Sequence, residues 1–163
     1  MPRDDLHKGR VSLAYNAYFV TTVTHNRIPY FHDFYCARLL VSEMRRLHEE
    51  NQLESLAWVI MPGHLHWLFQ LQENQSLSQI VRLLKGRSAH IINHHLQRQG
   101  SIWDRAFHDH ALRKDEDIKS IARYIVANPL RAKLVEKLDD YSMWDAAYVV
   151  AFIRATEAAP TIN

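Results

Sequence analysis

The sequence predicts an α+β fold, a ferredoxin-like (RRM-like) antiparallel sheet with helices on one face. The first reason is the order of segments, because runs rich in β-branched and aromatic residues alternate with runs of helical apolar spacing. The second is Pro62-Gly63, which joins two such runs by a tight turn. The third is size, since 163 residues with 47% hydrophobic content suffice for one core. We expect a single domain over residues 1–163, with peripheral tails at 1–14 and 155–163.

The first half of the chain predicts three strands and one helix. Residues 18–25 are rich in β-branched and aromatic side chains and predict the first strand. A helix is predicted over residues 33–51 from apolar side chains spaced three and four apart. Residues 56–61 and the segment 64–71 then predict an antiparallel hairpin.

The second half predicts two helices and a further strand. Ser76 and Gln79 form a capping-box pattern that opens a helix, and Gly86 inside it predicts a bend or a close backbone approach. A strand is predicted over residues 106–112. The next helix begins with acidic residues and ends at Asn128, because a residue before proline disfavours helical geometry. Those acidic residues are Asp115, Glu116 and Asp117. The tail, with Trp144 and Tyr148, is expected to pack against the sheet.

Composition and charge restrict the classes of function. Cys36 is the single cysteine, which excludes an internal disulfide, fits a reducing compartment and is expected to pack as a small hydrophobe. No apolar run approaches the length of a membrane span, so we expect a cytoplasmic protein without a membrane partner. The net charge is only +2, yet no acidic residue occurs between Glu73 and Asp104, where four basic residues occur. Such a segment is either a footprint for a phosphate backbone or a solvated helix face.

Two histidines at strand spacing form the most informative motif. His64 and His66 project from one face of the predicted strand, and the other face carries an apolar ridge suited to packing on helices. Two adjacent imidazoles form half of a divalent-metal site and need a third ligand. With 11 histidines in the chain, about one such pair is expected by chance, and His108 and His110 form a second pair.

The last predicted helix supplies candidate partners for His64 and His66. Its apolar stripe occupies positions 118, 121, 122 and 125, so Tyr124 lies away from the buried face. Asn128 follows one turn later on the same flank. The amide oxygen of Asn128 suits a third metal ligand, whereas the phenol of Tyr124 suits a nucleophile or a ring for stacking bases.

The motif His64-Leu65-His66 resembles the HUH motif (His, hydrophobic, His) of single-tyrosine endonucleases and transposases. The segment 124–135 resembles the tyrosine-bearing helix of the REP-associated tyrosine transposases. Segments 103–113 and 140–146 also resemble blocks of that branch, and the resemblance extends over residues 17–148. It implies that the tyrosine-bearing helix lies near the HUH strand.

The resemblance implies cleavage of single-stranded DNA at repetitive extragenic palindromes (REP), whose hairpins the family binds. Tyr124 matches the nucleophile that forms a 5′-phosphotyrosine link and leaves a free 3′-hydroxyl. His64 and His66 match the metal ligands, and Asn128 matches the third, where other members carry glutamine or an acid. The resemblance implies Mg²⁺ or Mn²⁺, although ligand softness alone would also suit zinc or nickel. It favours a monomer, and the wider superfamily contains dimers.

Several side chains are candidates for contact with DNA. Basic residues would hold the phosphate backbone, aromatic residues would stack on bases, and the second histidine pair would contact DNA or serve a surface role. The candidates are Arg45, Arg46, Arg82, Lys85, Arg87, Trp103, His108 and His110. Two other functions stay open. One is a non-catalytic single-stranded nucleic-acid-binding module with an RRM-like sheet, and the other is a zinc hydrolase that uses water as its nucleophile.

Overall fold

The computed structural model describes residues 16–73, 75–113 and 117–146, and its centre is a five-stranded antiparallel sheet. The strands are β1 (Ala17–Val23), β2 (Leu53–Met61), β3 (His64–Leu71), β4 (His108–Ala111) and β5 (Trp144–Ala146). Their order across the sheet is β4-β1-β3-β2-β5. The helices are α1 (Phe34–Glu49), α2 (Leu77–Leu96), α3 (Ile118–Val126) and the short α4 (Asn128–Arg131). The α+β class and the antiparallel sheet are confirmed.

Helices α1 and α2 pack on one face of the sheet, as predicted. The alternating residues of β3 that face them, from Leu65 to Leu71, are buried with the apolar faces of both helices. Cys36 is buried in the same cluster. Helix α3 packs on the opposite face, where Ala122 and Ile125 contact a second cluster that includes Leu68. The face with the histidine pair is therefore partly covered by α3, the helix that carries Tyr124 and that the resemblance placed near the HUH strand.

Two backbone predictions in the helices need correction. Helix α2 continues through Gly86, and a Cβ built there would find no atom of the described residues within 4 Å, so the predicted close approach is wrong. Helix α3 begins after Asp117, whose side chain accepts a hydrogen bond from the Lys119 amide, and ends at Val126, two residues before the predicted end. Asn128 instead begins α4, because proline suits the first turn of a helix.

The strand bounds also differ from the predicted ones. Strand β1 begins one residue before its predicted start and ends two residues before its predicted end. Strand β2 begins three residues before its predicted start, and β4 is shorter than predicted at both ends. Trp144 packs against the sheet, as predicted for the tail. It does so within β5, an additional strand that pairs with β2 and was not predicted. Tyr148, Asp115, Glu116 and both predicted terminal tails lie outside the described residues. Within the described ranges, no helix is long and apolar enough to cross a membrane.

Candidate active site

The two histidines of the HUH motif lie side by side on β3. The ring centroids of His64 and His66 are 4.7 Å apart and the rings are nearly perpendicular. Both side chains are partly buried. Leu68, two residues further on the same face, is fully buried beneath α3. The histidines therefore occupy the end of β3 that the helix leaves accessible.

Neighbouring strands orient His66 and keep it neutral. The hydroxyl oxygen of Thr21, directly opposite on β1, lies 2.8 Å from Nδ1 of His66. The ring of Phe19 contacts the imidazole edge-on, with centroids 5.6 Å apart. Burial, followed by the nearby His64 and Arg131, lowers the pKa of His66 to about 4. At neutral pH the ring is therefore uncharged, and with Nδ1 hydrogen-bonded to Thr21 its Nε2 can ligate a cation.

A strained turn holds Arg27 beside His64. Burial, and secondarily Arg27, lowers the pKa of His64. Asn26 and Arg27 both have left-handed backbone conformations, with φ of 55° and 54°. The buried hydroxyl of Thr24 donates to the Ile28 carbonyl at 2.8 Å and fixes this turn. A Cβ on Gly63 would come within 3.3 Å of the Arg27 carbonyl oxygen, so glycine permits the turn to pack against the β2–β3 hairpin.

Helix α3 presents Tyr124 to solvent and buries its opposite side. Tyr124 is 58% exposed, whereas Ile125 and Val126 are fully buried. Because the same helix packs on the face of the sheet that carries the histidines, the phenol belongs to the same side of the molecule as the imidazoles. The Nδ2 atom of Asn128 donates to the Ile125 carbonyl at 3.1 Å. This bond orients the amide and leaves its oxygen as the group that could ligate a cation.

Arg131 connects the tyrosine with the histidine pair. Its guanidinium carbon lies 3.9 Å from the centroid of the Tyr124 ring, and Nη2 donates to the Tyr124 carbonyl. The same charge also contributes to the low pKa of His66, after burial and His64. Sequence reasoning assigned no role to Arg131. It lies beyond the predicted end of that helix at Asn128, and only the placement of α4 directly after α3 brings it to Tyr124.

The chemistry of the three predicted ligands suits a divalent cation. Two neutral imidazoles and one amide oxygen are present, and the Thr21 hydroxyl provides the outer hydrogen bond that metal-ligating histidines usually make. Asp33, Cys36 and His95 form another group with ligand atoms within 4.8 Å of one another. There Asp33 caps α1 by accepting from the Tyr35 amide, and burial raises the pKa of Cys36 to about 11. A helix cap with a protonated thiol explains that group without a metal.

A second phenol, that of Tyr141, is unsuited to nucleophilic attack. Burial raises the pKa of Tyr141 to about 12, and its hydroxyl donates to the Ile60 carbonyl. A phenol with a raised pKa and an occupied hydroxyl is a poor nucleophile. Among the described residues, no hydrogen bond to the Tyr124 hydroxyl is present.

The basic candidates for DNA contact lie on α1 and α2, across the sheet from the histidine pair. Arg46 and Arg87 form ion pairs with Glu50, at 2.8 Å and 3.3 Å. The ammonium group of Lys85 donates to three backbone carbonyls of residues 104–106. Arg45 and Arg82 are exposed. Arg82 lines an open groove of about 510 Å³ with Gly86, Arg105 and Phe107.

The structure corrects one aromatic candidate. Trp103 is only 6% exposed, and its indole N–H donates to the buried Ser88 hydroxyl at 2.9 Å. It packs against Phe31 and cannot stack on a base without unfolding this region, so the predicted stacking role is wrong.

The second histidine pair lies on the same face as the first. His108 is the register partner of Thr21, which is itself the partner of His66. His110 is the partner of Phe19 on the next row of that face. Directly opposite residues of an antiparallel sheet share a face, so both histidines border the uncovered half of the sheet. Sequence spacing alone could not relate two pairs separated by 42 residues.

The chain is similar in sequence to known transposases. Residues 13–128 match the family model described as transposase IS200 like. The chain is 29% identical over 139 residues to a Haemophilus influenzae protein assigned to the REP-associated tyrosine transposases, covering 76% of each chain. It is 27% identical over 97 residues to the REP-associated tyrosine transposase of Escherichia coli K12, covering 59% of this chain and 56% of that protein.

Two solved structures share the fold. One is a REP-associated tyrosine transposase bound to a REP hairpin, with a TM-score of 0.68 and 22% identity over 93% of this chain and 86% of that chain. The other is a Deinococcus radiodurans protein assigned to the transposases, with a TM-score of 0.55 and 22% identity. That match covers 78% of this chain and 91% of the other.

Proposed function

This chain belongs to the IS200-like transposase family, and from that premise we propose that it is a metal-dependent single-stranded DNA endonuclease and strand transferase. We further propose that its substrates carry REP-type hairpins, as in the complex of the related transposase. The observation that carries the proposal is that α3 packs on the histidine face and presents an exposed phenol there.

Tyr124 is the proposed nucleophile. Its hydroxyl loses a proton and its oxygen forms a bond to the scissile phosphorus. The bond from phosphorus to the 3′-oxygen breaks, and that oxygen takes up a proton to become a free 3′-hydroxyl. One phosphodiester replaces another, so no nucleotide cofactor is needed and a 3′-hydroxyl of another strand can reverse the reaction. The exposure of Tyr124 supports this role because a DNA strand can reach the phenol.

His64, His66 and Asn128 are the proposed ligands of Mg²⁺ or Mn²⁺. A bound ion would polarise the phosphate oxygens and stabilise charge on the leaving oxygen. The chain's own contribution is to keep both imidazoles neutral by burial and to orient His66 through Thr21. Proton affinity this low leaves the ring nitrogens available at neutral pH.

The proposed DNA path includes the uncovered half of the histidine face. His108 and His110 are exposed there and could contact the strand beside the scissile phosphate. Arg82 and Arg45, both exposed on the other face, are proposed contacts to the hairpin backbone. Arg46, Lys85 and Arg87 could contribute only if their present partners were exchanged for phosphate. We propose a cytoplasmic protein that acts as a monomer or a homodimer.

The test is adduct formation on denaturing gels, with Mn²⁺ or Mg²⁺ and single-stranded hairpins from the extragenic repeats of the source genome. We expect a metal-dependent protein–DNA adduct that disappears in Tyr124→Phe. Tyr35→Phe is the matched control because Tyr35 is 68% exposed but lies on α1, across the sheet.

The other outcomes identify the alternatives. Hairpin binding without any adduct would favour the non-catalytic binding module. Cleavage that persists in Tyr124→Phe would show that the nucleophile is another tyrosine or water. Water is the nucleophile of the zinc hydrolase alternative. An adduct lost equally in both variants would indicate damage to the fold rather than a missing nucleophile.

A further inference from the structure

Arg131 lies beside the proposed nucleophile. Its guanidinium carbon lies 3.9 Å from the centroid of the Tyr124 ring, and its Nη2 donates to the Tyr124 carbonyl. We propose that Arg131 binds the scissile phosphate and holds the Tyr124 ring in position for attack. The inference rests on the proposed function, and the nucleophile and metal ligands are separate from it.

The contacts of Arg131 leave it able to bind an anion. A guanidinium carries five N–H donors in one plane. In the part of the chain that the structure describes, the Tyr124 carbonyl accepts from one of them, through Nη2. Stacking on the ring uses a face of the plane and leaves its edge for bidentate binding to phosphate. Arg131 is exposed, so a DNA strand can reach it.

Arg131 places a positive charge against the ring of the proposed nucleophile. A phosphate that comes within bonding distance of the Tyr124 oxygen would also come within reach of the exposed guanidinium, which can offset its negative charge. It follows that Arg131 should favour DNA binding and attack on the phosphate, whereas metal binding involves other residues.

The simpler interpretation is that Arg131 only caps a helix. Tyr124 belongs to the last turn of α3, and an arginine that donates to a carbonyl there stabilises the helix end. The two interpretations predict different results. Loss of a cap would weaken metal and DNA binding together through local disorder, whereas loss of a phosphate-binding charge would weaken DNA binding and leave metal binding unchanged.

The experiment compares Arg131→Gln and Arg131→Lys with the wild type and with Arg38→Gln. Arg38 is an exposed arginine of α1 on the opposite face of the sheet, so its variant controls for net charge. Calorimetry measures Mn²⁺ affinity without DNA. A salt titration in EDTA measures hairpin affinity without chemistry, and single-turnover gels measure the rate of adduct formation.

For Arg131→Gln we expect Mn²⁺ affinity to stay at the wild-type value, because the proposed metal ligands are other residues. The slope of log affinity for DNA against log salt should fall by about 0.7, the value of one single-strand phosphate contact. Adduct formation should slow by about 100-fold, as for loss of one donor to a developing oxyanion. Arg131→Lys should keep the salt slope and lose roughly tenfold in rate, because lysine cannot bind in the same bidentate fork.

Two results would overturn the inference. One is weaker binding of both Mn²⁺ and DNA in Arg131→Gln, and the other is values that match Arg38→Gln throughout. If the wild type forms no adduct, the proposed function fails, but a lower salt slope at unchanged metal affinity still decides whether Arg131 binds phosphate. A wild type that binds neither Mn²⁺ nor hairpins would overturn both proposals.

Discussion

The hydrogen bond between Thr21 and His66 allows a direct test of how the sheet prepares the proposed metal site. With a cation on Nε2, the proton of the imidazole must reside on Nδ1, where Thr21 accepts it across 2.8 Å. Thr21→Val keeps the shape and the β-propensity of the side chain but removes the acceptor, leaving a partly buried N–H without a partner. Loss of such an outer hydrogen bond typically lowers metal affinity by about 10- to 100-fold.

That loss corresponds to about 1.4–2.7 kcal/mol of binding free energy. Isothermal titration with Mn²⁺ on the DNA-free protein measures it, because no chemistry then intervenes. The rate of adduct formation at subsaturating Mn²⁺ should fall in parallel and recover as Mn²⁺ is raised, since Tyr124 is untouched.

The adjacent residue provides a matched control. Thr22 points to the opposite face, is 1% exposed, and its hydroxyl has no hydrogen-bond partner among the described residues. Thr22→Val should leave Mn²⁺ affinity unchanged and raise the free energy of unfolding by about 1 kcal/mol, because an unsatisfied buried hydroxyl is removed. Equal Mn²⁺ affinity in Thr21→Val and wild type would refute the assignment of Thr21 as the orienting residue.

Three further outcomes are expected from the structure. Gly86→Ala should raise the free energy of unfolding, measured by urea denaturation, by about 0.5–1 kcal/mol, since the added methyl enters open space in a helix interior. A lower free energy of unfolding would mean that the methyl meets a contact there. Trp103→Phe should lower the free energy of unfolding by about 1–3 kcal/mol, because the hydrogen bond to Ser88 is lost, and should leave hairpin affinity unchanged. Unchanged stability with weaker hairpin binding would instead support the stacking role. In metal-free protein, unfolded His66 binds a proton near pH 6.5 and folded His66 only near pH 4. The free energy of unfolding should therefore fall by at most about 3 kcal/mol as the pH drops from 6.5 to 4. Above pH 6.5 it should not change. A stability difference between His66→Gln and wild type that is constant with pH would contradict this.

Local patterns predicted the elements well because each has a local cause. Alternation placed His64 and His66 on one side of β3 and the apolar ridge on the other, as the buried Leu65 and Trp67 confirm. The apolar stripe of α3 likewise predicted an exposed Tyr124. The errors arose where residues from other segments of the chain determine whether a side chain is buried. Trp103 is buried by Phe31 and Ser88, which are distant in sequence.

The basic segment illustrates the same distinction. Its lack of acidic residues is a property of the sequence, but Glu50 of another helix neutralises Arg87, and the loop carbonyls of residues 104–106 engage Lys85. Charge counted along a chain therefore overestimates the charge available to a ligand.

By itself the sequence determined the strand-borne histidine pair, the exposed phenol and the amide four residues later, because periodicity within one element decides which side chains share a face. Only the tertiary structure decided that α3 lies over the histidine face, that Thr21 orients His66, and that Arg27 and Arg131 border the pair. Those relations depend on strand order and helix packing, which join segments up to about 100 residues apart. No local pattern encodes such distances, so the electrostatics of the site became visible only in the folded chain.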